Sequence, residues 1–320
     1  LEGAMTAEYY NETQPHDVIF IGDCEVYENF SPVTLWEDYG ITSYIRGSAQ
    51  QLIWQSYYLL EEALEKESPA VVVYNVQAMK YAQPQSEAYN RMALDGMPLS
   101  QHKIDAINAS MCEDEDMISY LIPLLRYHSR WSELSSEDLE YMFKKDPVTI
   151  SGYLMRADTK PMTKLPNVPV LEDYTIGERC WYYLDKMREL CQTHGTELVL
   201  IKSPSLWPHW YDEWDEQISA YAEKYGLDYI NLLPYADDIG LDMQTDTYDG
   251  GLHLNVYGAE KLSRYFGKIL SDKYDVPDRR DDADIAECWA QKCEDYYALL
   301  AAQKAELEKY GYLKSWTLGE

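Results

Sequence analysis

Val18-Ile19-Phe20-Ile21-Gly22-Asp23-Cys24 is an apolar run of four residues that stops at a Gly-Asp-Cys turn. An apolar run that ends in a small-residue turn is typical of a parallel strand buried on both faces. A residue directly after such a strand lies at its carboxyl end, where open α/β sheets place their sites. The stretch therefore predicts the first strand of a parallel sheet, with Cys24 at its functional edge.

Four further short runs continue this pattern, and most are separated by segments with helical periodicity. The sequence therefore predicts an α/β, doubly wound, flavodoxin-like fold, in which a five-stranded parallel sheet lies between two helical layers. The later predicted strands are Ser43–Arg46, Ala70–Val76, Glu197–Lys202 and Asp228–Asn231. The predicted helices around them are Gln50–Glu65, Gly177–His194, Asp212–Tyr225 and Val256–Leu270.

The alternation of strands and helices stops between about residues 80 and 173, a stretch rich in Met, Tyr and acidic residues. Because it resumes afterwards, we predict one domain over 1–320, with a core at about 17–78 and 177–272 and an insertion after strand three that caps the sheet. A separate small domain is the alternative. A long polar helix is predicted at about 281–310. The insertion is predicted to contain helices at Lys103–Ser110, Glu115–Tyr127 and Ser136–Lys144.

The chain has 320 residues and a formal net charge of −29. Phosphate contacts need clustered Lys and Arg, so this charge argues against nucleic acid and anionic membrane surfaces as partners. The negative charge is consistent either with a role in solubility or with a cationic partner. The six cysteines form no CxxC pair and no zinc spacing, and no Gly-rich phosphate loop occurs, so no metal or cofactor is expected. The oligomeric state is left open.

Cys24 and His253 are the candidate nucleophile and base. A residue at a sharp turn after a strand has backbone N–H groups nearby that stabilise an oxyanion, and a thiol needs an imidazole to enrich its thiolate. His253 lies in a loop before a predicted helix, and either Asp249 or Asp246, four and seven residues earlier, could orient its ring. The alternatives are a buried structural thiol and a helix-entry histidine.

Gly47 and Asn75 are the candidate oxyanion donors. Gly47 ends the second predicted strand and offers a backbone N–H, while Asn75 offers a side-chain N–H near the end of the third. An Asn in an otherwise Val-rich strand is unfavourable, which indicates a local role for it. Pairing of its side chain with the backbone is the alternative.

The order of these residues along the chain resembles the four blocks of the SGNH (GDSL-type) hydrolase superfamily. The segment Leu252–Leu262 is similar to the His block of cell-surface members related to polysaccharide O-acetylation and teichoic-acid D-alanylation proteins. The resemblance implies the following roles: Cys24 as nucleophile, His253 as base, Asp249 as orienting acid, and Gly47 and Asn75 as oxyanion donors.

The sequence departs from the family pattern at three positions. Cys24 replaces the usual serine, Gly250 stands three residues before His253 where the family has its acid, and Val73 stands two before Asn75 where the family has glycine. The implied fold is unaffected by these departures. The implied activity depends on Cys24.

The resemblance implies an ester hydrolase or acyltransferase that acts on O-acyl groups, above all O-acetyl groups, of a cell-envelope glycan. The alternative is a catalytically altered or inactive binding or scaffolding protein of the cell surface. An N-terminal membrane anchor before Leu1 and an extracellular or membrane-anchored location are expected, with a cytoplasmic location as the alternative. Aromatic side chains suited to stacking on sugar rings are Tyr127, Trp131, Trp207 and Trp210.

Overall fold

The computed structural model describes residues 3–122 and 147–317. At its centre lies a sheet of five strands in the order β2-β1-β3-β4-β5, with every neighbouring pair parallel. The predicted fold class is confirmed. The strands are β1 (Val18–Gly22), β2 (Ser43–Gly47), β3 (Val71–Asn75), β4 (Glu197–Lys202) and β5 (Asp228–Asn231).

Helices cover both faces of the sheet. The α-helices of the described residues are α1 (Ala4–Glu8), α2 (Cys24–Tyr27), α3 (Pro32–Tyr39), α4 (Ile53–Lys66), α5 (Glu87–Leu94), α6 (Gln101–Ser110), α7 (Met117–Leu121), α8 (Glu178–His194), α9 (Asp212–Tyr225), α10 (Ala236–Ile239), α11 (Val256–Tyr274), α12 (Ala283–Tyr310) and α13 (Lys314–Thr317). Short 3₁₀ turns occupy Tyr9–Asn11, Val76–Lys80 and Leu233–Tyr235. Within the two described ranges, no helix is long and apolar enough to cross a membrane.

Successive residues of each strand face opposite layers, because side chains alternate across a sheet. Ile19 and Ile21 of β1 pack in the layer formed by α4, α8 and α9. Val18 and Phe20 pack in the other layer, formed by α3, α11 and α12. Since both faces are covered, the central strands β1 and β3 are nearly continuous apolar runs, whereas the outer strands β2 and β5 also contain polar residues.

The insertion runs from one face of the sheet to its carboxyl end. Its helix α6 packs beside α4. After the undescribed residues the chain returns along the edge strand, where Ile45 N donates to Ser151 O over 2.9 Å. It then reaches the loop before His253, where Lys160 N donates to Thr247 O over 3.0 Å. The predicted helix Ser136–Lys144 and the end of Glu115–Tyr127 lie outside the described residues.

The long helix α12 packs on the domain. It buries Trp289, whose ring stacks on that of Trp36 in α3 at a centroid distance of 5.4 Å. Its buried Gln303 accepts a hydrogen bond from Ala157 N at 2.8 Å and donates one to Met155 O at 3.0 Å. The C-terminal helix therefore helps to fix the segment of the insertion that leads to the carboxyl end of the sheet.

Candidate active site

Cys24 lies at the carboxyl end of β1, as the first residue of α2. Gly22 has a φ of 152°, and a Cβ on it would lie 3.1 Å from the Cβ of Asn75, so only glycine fits this turn without strain. Asp23 caps α2 by accepting a hydrogen bond from Glu25 N at 3.2 Å. The turn thus leaves the Cys24 side chain half-buried at the edge of the sheet.

The loop before α11 holds His253 in a fixed orientation. Asp249 accepts hydrogen bonds from His253 N at 2.9 Å and from the ring Nδ1 at 2.7 Å. Thr247 Oγ1 donates to the carbonyl of His253 at 2.7 Å. Asp246 instead binds Lys261 Nζ at 2.7 Å. Of the two carboxylates left open by the sequence, Asp249 is the one that contacts the imidazole.

The thiol of Cys24 and the ring of His253 interact. Because Nδ1 is bound to Asp249, Nε2 is the ring atom left for the thiol, and it has no aligned hydrogen-bond partner among the described residues. Burial and the nearby Asp23 carboxylate raise the pKa of Cys24 to about 11, against a smaller opposite effect of His253. Burial disfavours the imidazolium, but Asp249, Cys24 and Glu28 together raise the pKa of His253 to about 12. Both groups therefore hold their protons more strongly than free side chains do.

Gly47 and Asn75 lie on either side of β1. Gly47 is the register partner of Gly22, and a Cβ on Gly47 would lie 3.0 Å from Val26 Cγ2, so the missing side chain lets α2 approach. The amide nitrogen of Asn75 donates to Asp23 Oδ1 at 3.0 Å and to Glu25 Oε2 at 2.9 Å. Both amide protons of Asn75 are therefore occupied by carboxylates.

A buried ion pair lies beneath this turn and was not predicted from the sequence. Lys202, the last residue of β4, is fully buried, and its ammonium donates to the two carboxylate oxygens of Glu25 at 2.9 and 3.0 Å and to Ser203 O at 2.6 Å. All three protons of the ammonium thus have partners. The pair connects α2 to β4 across the strand that carries Asn75.

Glu28 is a second carboxylate at His253 that the sequence reading missed. It is buried, and its Oε2 lies 3.2 Å from His253 Nδ1. The hydroxyl of Tyr248 donates to the same carboxylate oxygen, and the guanidinium of Arg156 stacks over the Tyr248 ring at 4.3 Å. Glu28 follows Cys24 by four residues, which is about one helical turn. This spacing places both side chains on the same face of a helix, and it is the sequence feature that would have indicated their proximity.

Asn29 joins the three segments that form the site. Its amide nitrogen donates to Ser203 Oγ at 2.8 Å and to Ser205 Oγ at 3.1 Å, in the loop after β4. Its amide oxygen accepts from Leu254 N at 2.9 Å, directly after His253. This fully buried side chain therefore fixes the His253 loop relative to the end of α2.

Of the aromatic residues proposed to stack on sugars, Trp210 does not fit that role. It is 6% exposed and its indole N–H donates to Asp215 Oδ1 at 3.1 Å, so it packs in the core. Trp207 is half-buried and follows Leu206, whose N–H donates to Gly251 O at 2.9 Å beside the site. Tyr127 and Trp131 lie outside the described residues.

The side chains of the described residues form no group of three or more His, Cys, Asp and Glu suited to a metal ion. The polar groups around Cys24 are instead bound to one another.

Replacing Asp23 by asparagine is expected to lower the pKa of Cys24 by roughly one unit. The substitution removes the negative charge that opposes the thiolate, and Asn still caps α2. Alkylation of Cys24 by iodoacetamide, followed by mass spectrometry across an alkaline pH series, measures the shift. Cys112 in the same digest is the internal reference, since it lies on a different part of the chain. An unchanged Cys24 profile would contradict the assigned effect of Asp23.

Comparison with known proteins finds similar solved structures but no matching sequence family. No protein-family model matches the chain, and no curated protein matches it. A proposed acylhydrolase from Bacteroides fragilis is 13% identical, with a TM-score of 0.40 over 84% of this chain and 95% of that one. A GDSL-like lipase from Bacteroides thetaiotaomicron is 13% identical, with a TM-score of 0.37 over 83% of this chain and 95% of that one.

Proposed function

We propose that the protein is an acyl-transfer enzyme of the SGNH type, an ester hydrolase or acyltransferase that works through Cys24, His253 and Asp249. The observation that carries this proposal is the disposition of the imidazole. Its Nδ1 is held by Asp249 at 2.7 Å, and its Nε2 is left without an aligned partner beside the thiol. A nucleophile, a base and an orienting acid in this relation are the recurring parts of covalent acyl transfer.

In the proposed reaction, Cys24 first loses its thiol proton to solvent at alkaline pH, and the thiolate sulfur then attacks the ester carbonyl carbon. The bond between that carbon and the alcohol oxygen breaks, and the imidazolium of His253 gives its Nε2 proton to the departing alkoxide. A thioester on Cys24 and a neutral imidazole remain. His253 then takes a proton from water or from an acceptor hydroxyl as that oxygen attacks the thioester carbon. The bond from carbon to sulfur breaks, and the Cys24 thiolate and the His253 imidazolium are restored.

Gly47 and Asn75 are the proposed oxyanion donors. For Asn75 this role requires the exchange of one carboxylate partner for the carbonyl oxygen of the substrate, because Asp23 and Glu25 take both of its amide protons. The carboxylate of Asp23 is the group to release, because its bond to the amide is 3.0 Å against 2.9 Å for Glu25, and Glu25 is also held by the ammonium of Lys202.

The acyl donor or acceptor is proposed to be an O-acetylated glycan of the cell envelope, and the protein to act at the cell surface. The resemblance of the His block supports this substrate class. The half-buried Trp207, beside the loop that carries His253, supplies a ring for a sugar face. Cell-wall polysaccharide carrying O-acetyl groups, and the same material after chemical deacetylation, are the substrates to compare.

The proposal is tested by trapping the acyl-enzyme. Incubation with p-nitrophenyl acetate at alkaline pH is expected to add one acetyl group to Cys24, seen by intact-mass and peptide mass spectrometry and removed by neutral hydroxylamine. Cys24→Ala should show no such adduct, whereas Cys112→Ala should acetylate as the wild type does. Equal slow turnover of p-nitrophenyl acetate and acetylated glycan by wild type and Cys24→Ala would refute catalysis through Cys24.

A second candidate function is binding or scaffolding without catalysis. Two observations favour it. The raised pKa of Cys24 disfavours the reactive thiolate. The amide protons of Asn75 are already bound to carboxylates, so they are not free to bind an oxyanion. Iodoacetamide alkylation separates the two candidates. A Cys24 profile that does not change in His253→Ala would support the non-catalytic function.

A further inference from the structure

We propose that Glu28 is a second positioning carboxylate for His253, so that the imidazole works between two acids rather than one. Its role in turnover rests on the proposed acyl-transfer function, whereas its effect on the ring does not. Glu28 comes from the turn that ends α2, and Asp249 comes from the loop before α11. The two acids therefore reach the imidazole from different elements of the fold.

At Nδ1 the imidazole is hydrogen-bonded to Asp249 and lies at ion-pair distance from Glu28. Asp249 Oδ2 lies 2.7 Å and Glu28 Oε2 lies 3.2 Å from Nδ1. Both distances are within the range of charge-assisted hydrogen bonds or close ion pairs. A buried carboxylate so near a ring nitrogen stabilises the imidazolium, because the opposite charge replaces the water that burial has removed.

The other charged and titratable groups around this pair come from three elements. Tyr248 donates its hydroxyl to Glu28, and its oxygen is also 3.3 Å from His253 Nδ1. Arg156 lies over the Tyr248 ring, but two of its nitrogens are bound to Asp158 at 2.9 and 2.8 Å. The positive charge of Arg156 is thus largely neutralised by Asp158, which does not contact His253 or Glu28. Cys24 and its neighbour Asp23 face the ring from α2.

This arrangement makes the two acids partly interchangeable. During turnover the Nε2 proton moves, whereas the Nδ1 proton stays on the ring, bound to Asp249 with Glu28 beside it. Loss of one carboxylate leaves the other to hold the imidazolium in place. We therefore expect the two single substitutions to be mild and their combination to be severe, with an effect larger than the product of the two.

The test compares Asp249→Asn, Glu28→Gln and the double variant by ¹⁵N NMR of protein labelled at histidine. The His253 ring is assigned by its absence in His253→Ala. At a pH near 9, Asp249→Asn should remain mainly imidazolium because Glu28 is present. The double variant should be mainly neutral, because burial alone lowers the pKa of a histidine. The same state of the ring in Asp249→Asn and in the double variant would overturn the proposal.

A matched control is present in the same chain. Glu67 contacts His16 Nδ1 at 3.0 Å and accepts a hydrogen bond from Tyr9, so it repeats the Glu, Tyr and His arrangement of the site. Glu67→Gln should change the His16 resonances and leave those of His253 unchanged. Circular dichroism confirms that each variant is folded before its spectrum is compared.

The kinetic measurement uses kcat/KM for p-nitrophenyl acetate. The proposal expects the double variant to lose more than the product of the losses in the two single variants, and simple multiplication of the losses would contradict the shared role. If the wild type shows no turnover that depends on Cys24, the proposed function fails. The NMR comparison still decides whether Glu28 holds the imidazolium.

Discussion

Replacing Lys202 by methionine is expected to lower the free energy of unfolding by about 3–5 kcal/mol. Methionine fills a similar volume, so the main loss is electrostatic. Among the described residues, Glu25, itself 2% exposed, would keep the side-chain hydrogen bond from Asn75, and its negative charge would stay buried. Removal of one partner of a buried pair costs more than removal of both, because a lone charge stays desolvated. Urea unfolding at constant pH measures the change.

Two variants test whether the loss has this cause. Adding Glu25→Gln to Lys202→Met should recover roughly half of the lost stability or more, since no charge then remains. Lys273→Met removes a lysine from an exposed pair with Asp228, where the lysine side chain is 52% exposed, and should cost about 1 kcal/mol or less. Equal losses in Lys202→Met and Lys273→Met would contradict the prediction.

Replacing His253 by alanine is expected to lower kcat/KM for the acetylated glycan, whose departing sugar alkoxide needs a proton, by about 10²–10⁴-fold, the usual contribution of general acid–base catalysis. The variant removes the only proton donor that the proposed reaction uses at the leaving alcohol. It also removes the cation beside Cys24, so the remaining activity should shift to higher pH. Rates corrected for spontaneous hydrolysis, measured over an alkaline pH series, provide both quantities.

His102 provides the matched control for this prediction. Its ring also contacts two carboxylates, with Nδ1 at 2.9 Å from Glu61 and Nε2 at 3.1 Å from Glu65, but it lies on α6 beside α4. His102→Ala should therefore keep the wild-type kcat/KM. An equal rate in His253→Ala and the wild type would exclude His253 from the reaction.

The fold could be predicted because its central strands are buried on both faces. Apolar runs such as Val71–Val73, alternating with helical segments, are typical of a parallel sheet covered by helices. Helix boundaries were less accurate. The helix predicted from Gln50 begins at Ile53, because the amide of Gln51 donates to Arg46 O and Ser56 Oγ, each at 3.0 Å, and holds the preceding residues in a turn.

The residues of the candidate site could be listed from local patterns, but their partners could not. Turns and loop entries mark Cys24 and His253 in the sequence, whereas the contact of Lys202 with Glu25 joins residues 177 positions apart. A lysine at the end of a strand reads as exposed unless its partner is known. Asn75 is unusual in a Val-rich strand, but the carboxylates that hold its amide come from the turn after β1, 52 and 50 residues earlier, and could not be inferred from spacing.

The segment that returns along β2 also affects the association of one protein molecule with another. β2 is the outermost strand at one side of the sheet, and its Ile45 amide is bound by Ser151 of the same chain. Gly152 passes so near that a Cβ on it would lie 1.9 Å from Ile45 O. A second molecule cannot add a strand where the chain's own backbone already lies. The strand at the opposite edge of the sheet, β5, is four residues long. We therefore expect the folded protein to resist polymerisation through its sheet, even at high concentration.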